Sequence, residues 1–196
     1  MPFPPDPEPT RAWAARHRML FFPQPEPSWF EAWEPYDTMI APARYVNSVV
    51  AQTAAGAVVY VEPWTADEGM EPVDRTLLAF ATHQGLRARA SARIGEWFLT
   101  RVAYVGSAPP HRVQLGDEAW DRDVMTYAPL PEHAHHAFSP PVRELLRAWQ
   151  FRGHIEMRPG GLVVHVGGLR PTPADLDRLA DFVPRLLSCA LTYPSA

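Results

Sequence analysis

Proline placement limits what this chain can fold into more than any other feature of its sequence. There are 23 prolines in 196 residues, and each fixes φ near about −65° and removes a backbone donor, so regular helix is excluded wherever they cluster. Residues 1–9 carry five of them and read as an extended, proline-rich lead. Residues 10–196 read as a single domain. Pro23, Pro25, Pro27 and Pro35 break up the stretch Phe21 to Pro35. Its aromatic residues Phe21, Phe22, Trp29, Phe30 and Trp33 read as anchors laid over the domain rather than as part of a regular element.

Between the proline clusters the apolar periodicity is legible. Thr10 is placed to cap a helix running to Met19, with Trp13, His17 and Leu20 on one face. Tyr45 to Gln52 and Ala57 to Glu62 are rich in Val and Tyr and are joined by Ala54-Ala55-Gly56, which predicts a hairpin. Thr76 to His83 fits either a helix or a strand and is taken as a strand, because a turn at Gln84-Gly85 follows it and Leu86, Ala88 and Ala90 then alternate with Arg87, Arg89 and Ser91. Trp97 to Val105 and Val113 to Leu115 are further predicted strands. Pro140-Pro141 opens a helix through Gln150 with Val142, Leu145, Leu146 and Trp149 as its stripe. Arg158-Pro159-Gly160-Gly161 carries the signature of a type II turn joining two strands, His154–Met157 and Leu162–Val166. Thr172, Pro173 and Asp175 then supply an N-cap, a proline at the first helical position and an acidic residue at N3. The helix they open buries Leu176, Leu179, Phe182, Val183, Leu186, Leu187 and Ala190, with Pro184 inside it. The predicted fold is α+β, an antiparallel β-sheet packed by two or three helices and ending in a C-terminal amphipathic helix.

Composition removes whole classes of chemistry. All 18 basic residues are arginine, a coding bias expected of a GC-rich genome, so a Schiff-base lysine, a Walker A lysine and a kinase lysine are absent. The single cysteine, Cys189, lies on the apolar side of the last helix and reads as packing. Net charge is −4 with both signs interspersed, so no basic stripe argues for nucleic acid. The N-terminus lacks the pattern of a secretion signal and no apolar run approaches a membrane span. The expectation is a cytoplasmic protein with no cofactor.

Three segments carry chemistry in principle. His133-Ala134-His135-His136 offers imidazoles that at i and i+2 of a strand face one way, although the spacing of a catalytic zinc site is missing and the flanking prolines favour a surface loop. Asp117, Glu118, Asp121 and Asp123 crowd four carboxylates into seven positions, a set that suits a hard cation or an acid–base pair but is explained equally by turn formation, capping and pairing with Arg122 or Arg112. Gly167-Gly168 follows a strand without completing a phosphate-binding motif. No nucleophile elbow is present.

The segment Gly116-Asp117-x-x-Trp120-Asp121-x-x-Val124-Met125-Thr126-Tyr127, followed by the helix with Arg143-Glu144-Leu145-Leu146, the hairpin at Gly160-Gly161 and the long helix over Leu176 to Leu191, resembles an uncharacterised family of bacterial α+β proteins. The similarity covers about the last 120 residues. It implies an α+β fold with antiparallel strands and brings no activity with it. Members of that family often bear transmembrane helices, which this sequence does not show.

The functional expectation is a non-enzymatic binding or accessory protein whose partner-binding residues are Trp29, Phe30 and Trp33. One alternative is a metal-dependent hydrolase built on His133, His135 or His136 with Asp117, Asp121 or Asp123. Another is a subunit of a protein assembly whose exposed strands pair edge to edge.

Overall fold

The computed structural model describes residues 6–34, 36–39, 41–53, 56–64, 75–95 and 111–192. Six helices are α1 (Glu8–Arg16), α2 (Pro27–Glu31), α3 (Glu118–Asp123), α4 (Pro131–Ala137), α5 (Pro140–Ala148) and α6 (Pro173–Thr192). Nine strands are β1 (Leu20–Phe22), β2 (Arg44–Thr53), β3 (Gly56–Trp64), β4 (Leu78–Thr82), β5 (Ala90–Ile94), β6 (His111–Val113), β7 (Val124–Ala128), β8 (Gly153–Arg158) and β9 (Gly161–Val166). All nine join one antiparallel sheet in the order β1-β2-β3-β4-β9-β8-β5-β7-β6. The α+β architecture expected from the sequence is the one observed. The predicted strand over 97–105 lies outside the described residues.

The strand order contains one step that no local signal announces. The β8–β9 hairpin, last in sequence, is inserted between β4 and β5. Its tip is clamped there: His83 N–H donates to the Gly160 carbonyl and Gly160 N–H donates to that of Leu86, both at 2.9 Å. Gly160 has φ +90°, the left-handed value that the third residue of a type II turn requires. Residues 86–89 keep their in–out alternation, but the regular strand begins only at Ala90 and pairs with β8, not with β4.

One face of the sheet carries the main core. Ala79 and Ala81 of β4, Ala90 and Ala92 of β5, Ile155 and Met157 of β8 and Leu162 and Val164 of β9 meet Trp13 of α1, Val142 and Leu146 of α5, and Leu176, Leu179, Phe182, Val183 and Leu186 of α6. The N-cap of α6 forms as the sequence predicts, with Asp175 N–H donating to Thr172 Oγ1 at 3.2 Å and Arg170 N–H donating to Asp175 Oδ2 at 3.1 Å. Trp13 is fully buried and donates its indole N–H to Asp177 Oδ1 at 2.7 Å, tying α1 to α6.

Two expectations near the N-terminus are corrected. Helix α1 starts at Glu8, inside the stretch read as an extended lead, because Pro9 sits in the first turn where its missing N–H costs nothing. It ends by His17, and Leu20 is an exposed residue of β1 rather than part of the helix face. The proline-broken stretch 21–35 does contain one short helix, α2, since Pro27 opens it instead of interrupting it.

A bulge interrupts the β2–β3 pairing between Val46 and Val49. Asn47, the one asparagine of the sequence, occupies it at φ +53°, a conformation that asparagine tolerates better than β-branched residues do. Its side chain donates to Glu62 Oε1 at 2.9 Å, and Arg75 holds the same buried carboxylate from the other side at 2.6–2.9 Å.

Candidate functional site

The sheet's second face changes character halfway across. Direct cross-strand partners form one row: Leu20, Val50, Val59, Phe80, Val163, Glu156, Ser91, Tyr127 and Arg112. Residues directly opposite one another share a face, so along this row the face is apolar from β1 to β9 and polar from β8 to β6. The apolar half is covered by α2 and the residues after it. Phe30, Tyr36, Tyr45, Val59, Val61, Leu78, Phe80 and Val163 form a second core there, with Trp33, Met39 and Val50 packed against it.

The three predicted partner-binding residues differ in position. Phe30 is 2 % exposed, stacked on Tyr45 with ring centroids 4.4 Å apart and edge-on to Phe80 at 5.4 Å. Trp33 is half-buried, 5.2 Å from Phe80. Its ring tip lies where a methyl group on Gly161 would stand, 2.4 Å from that point, so only glycine leaves it room. Trp29 leans on Phe80 at 5.4 Å but keeps 36 % of its surface in solvent. Leu20 and Phe22 of β1, 55 % and 43 % exposed, lie on the same face at the sheet edge. Among the described residues β1 pairs only with β2, which leaves its outer edge unpaired. A strand edge with apolar side chains and an open hydrogen-bonding side is a surface on which another chain can be laid. Phe22 stands out in the sequence by residue type, but that it and Leu20 share an exposed strand edge shows only as alternation over three residues, too short a signal to read.

The polar half of the face is built around Glu156, 1 % exposed. Thr38 N–H donates to its Oε1 at 2.9 Å and Arg158 donates to its Oε2 at 3.2 Å. Burial outweighs these contacts, helped by the neighbouring Asp37 carboxylate, and pushes the Glu156 carboxyl up to about 7. Asp37 pairs with Arg89 at 3.7 Å. His154 and His165 are cross-strand neighbours with rings 6.0 Å apart, and burial holds them down to about 2 and about 4. These are neutral imidazoles beside an acid that holds its proton up to about neutral pH.

The two segments considered for metal chemistry stand in other roles. His133, His135 and His136 lie on α4 instead of a loop, because Pro131 falls at the start of that helix and opens it. The i, i+2 argument from strand geometry therefore does not apply to them. Asp117 caps α3: one carboxylate oxygen accepts from Trp120 N–H at 3.2 Å, and the other takes Arg143 at 3.0 Å together with Arg147. These contacts, with that of Arg147 first, hold its carboxyl below the usual carboxylate range. Asp121 accepts from Leu115 N–H and Gly116 N–H, and Asp123 pairs with Arg122 at 3.1 Å. Among the described residues no group of three or more His, Cys, Asp or Glu is arranged to hold a metal ion. Gly167 and Gly168 form a turn, with Gly168 at φ +81°.

No family model matches the chain, and no curated protein matches it. The fold is similar to that of a solved structure, the mycobacterial trehalose monomycolate transport factor A, TtfA, with a TM-score of 0.67 over 97% of each chain and 12% identity. At that identity the likeness is one of fold. Among the described residues no helix is long and apolar enough to cross a membrane.

Proposed function

We propose that this chain is a non-enzymatic accessory factor, acting in the cytoplasm, which docks a protein partner on the aromatic face presented by Trp29, with Phe30 and Trp33 as its buried foundation. The observation that carries this reading is that Trp29, packed on Phe80 of β4, keeps 36 % of its surface in solvent on the sheet face where Leu20 and Phe22 of the β1 edge are also exposed. A solvent-facing tryptophan on a rigid aromatic base loses little conformational freedom on binding, which favours a contact residue. The structural neighbour is a transport factor, which is compatible with an accessory role. Affinity capture from the source cell with wild-type bait and with Trp29→Ala tests the reading. Partners held by the wild type should be lost from the variant while its melting temperature stays close to that of the parent. Equal capture by Trp29→Ala and by Leu20→Ser/Phe22→Ser would overturn it.

A second reading, self-assembly, is favoured by the open β1 edge alone. Light scattering over a concentration series distinguishes the two. Mass that grows with concentration, and no longer grows in Leu20→Ser/Phe22→Ser, means that the edge binds another copy of this chain.

A further inference from the structure

A cleft of about 1030 Å³ opens at the end of the sheet where β5 finishes and β7 and β8 begin, and none of the residues that line it packs against Trp29. Its floor is apolar, formed by Ile94, Val124, Leu146 and Phe151. Its rim is cationic: Arg93, Arg122, Arg147 and Arg152 line it with one carboxylate, Asp123. In a chain of net charge −4 this is a local excess of positive charge over a low-dielectric wall, an arrangement that concentrates field in the cleft.

The four arginines are not equivalent. Arg122 is paired with Asp123, and Arg147 shares Asp117 with Arg143, so that two guanidinium groups face a single carboxylate. The guanidinium of Arg152 makes no hydrogen bond or ion pair among the described residues. It is nevertheless held in place. Its stem lies against Gly95, so close that a methyl group there would stand 3.0 Å from Arg152 Cδ, and Gly95 has φ +97°. The backbone at 95 thus needs glycine twice over, for conformation and for the arginine stem laid across it. A positioned, unpartnered guanidinium above an apolar floor suits a planar anionic headgroup attached to a hydrocarbon body, since arginine binds carboxylate and phosphate through paired N–H donors.

We propose that this cleft binds an anionic amphiphile, a phosphate or carboxylate headgroup seated on Arg152 with its hydrocarbon chain over the Leu146–Phe151 floor. The cleft is about as large as clefts that enclose most of a ligand, roughly 300–1,000 Å³. It is separate from the partner-docking face, so the proposal stands or falls independently of it.

Calorimetric titration of the full chain with monomeric lauryl phosphate, laurate, inorganic phosphate, lauryl maltoside and polyglutamate tests it, alongside Arg152→Gln. Lauryl phosphate or laurate should bind at least about tenfold more tightly than either the headgroup anion alone or the neutral amphiphile. Arg152→Gln should weaken that binding by a similar factor with an unchanged melting temperature, because the side chain it replaces is exposed and unpaired. Whether the phosphate or the carboxylate binds better identifies the headgroup. Equal binding of inorganic phosphate would show a plain anion site and overturn the role of the floor. Unchanged binding by Arg152→Gln, or its loss in Trp29→Ala instead, would place the amphiphile elsewhere. Binding of polyglutamate but of no amphiphile would assign the cleft to an acidic protein segment and overturn the proposal as well.

Discussion

Glu156 and Val163 are direct partners across the β8–β9 ladder, a buried carboxyl beside an aliphatic side chain on one face of the sheet. Between them the face passes from the apolar half under the aromatic segment to the polar half around the paired histidines.

This placement gives stability a definite pH dependence. Burial raises the Glu156 carboxyl from 4.5 to about 7, so the folded protein keeps a proton that the unfolded chain has released. The stabilisation is full below about 4.5 and is lost as pH rises through about 7. Glu156→Gln imitates the neutral acid. Urea midpoints of the two proteins between pH 4 and 8 should diverge as pH rises, with the variant gaining relative to the wild type by up to about 3 kcal/mol. A gap that does not change with pH would mean that Glu156 ionises at its ordinary value.

His154 pulls the opposite way. Burial, reinforced by His165 and Arg93, lowers its imidazole from 6.5 to about 2. Its contribution is present above about 6.5 and declines as pH falls below that, because the unfolded chain takes up a proton that the fold refuses. Acid unfolding of the wild type should therefore show a slope of about 1.4 kcal/mol per pH unit for each such proton. His154→Gln should remove about one proton from that slope, as measured by denaturant midpoints from pH 6.5 down to 4.

The aromatic segment should divide cleanly by burial. Phe30→Ala empties the centre of the second core and should cost about 3–5 kcal/mol. Trp29→Ala, at a site 36 % exposed, should cost about 1 kcal/mol. Gly161→Ala drives a methyl group onto the Trp33 ring and to within 2.8 Å of the Ala81 carbonyl, an overpacking worth about 1–3 kcal/mol. Chemical denaturation of the three variants checks the order. A Trp29→Ala loss equal to that of Phe30→Ala would move Trp29 from contact surface to core.

Asp117 joins a helix cap to two ion pairs through its two oxygens. Asp117→Ala should cost about 2–3 kcal/mol, since it uncaps α3 and leaves the largely buried Arg143 without its carboxylate. Asp117→Ser keeps a capping hydroxyl and should recover about 1 kcal/mol of that, measured by thermal or urea unfolding. If serine recovers nothing, the ion pairs alone carry the residue's contribution.

Much of the fold was legible because its signals are local. Thr172, Pro173 and Asp175 start α6 through contacts within one turn, and Pro159-Gly160 turns β8 into β9 through two residues' backbone angles. Between helix and strand for residues 76–83, the structure forms a strand over Leu78–Thr82, whose own burial does not alternate. The candidate site was less legible: Trp29, Phe30 and Trp33 stood out by residue type, but their division into one exposed and two packed rings depends on Phe80 and Gly161, distant in sequence. Leu20 reads by spacing as part of a helix face and Phe22 as one of a row of aromatic anchors, so their exposed strand edge is not read from the sequence, and the Arg152 cleft has no local signal. Helix capping, turn geometry and apolar period act over a few residues and are written in the chain. The insertion of the last hairpin between β4 and β5, the change from apolar to polar across Val163 and Glu156, and the gathering of four arginines over one floor arise only when segments far apart close on each other, and which groups meet is settled by burial and charge in the assembled sheet.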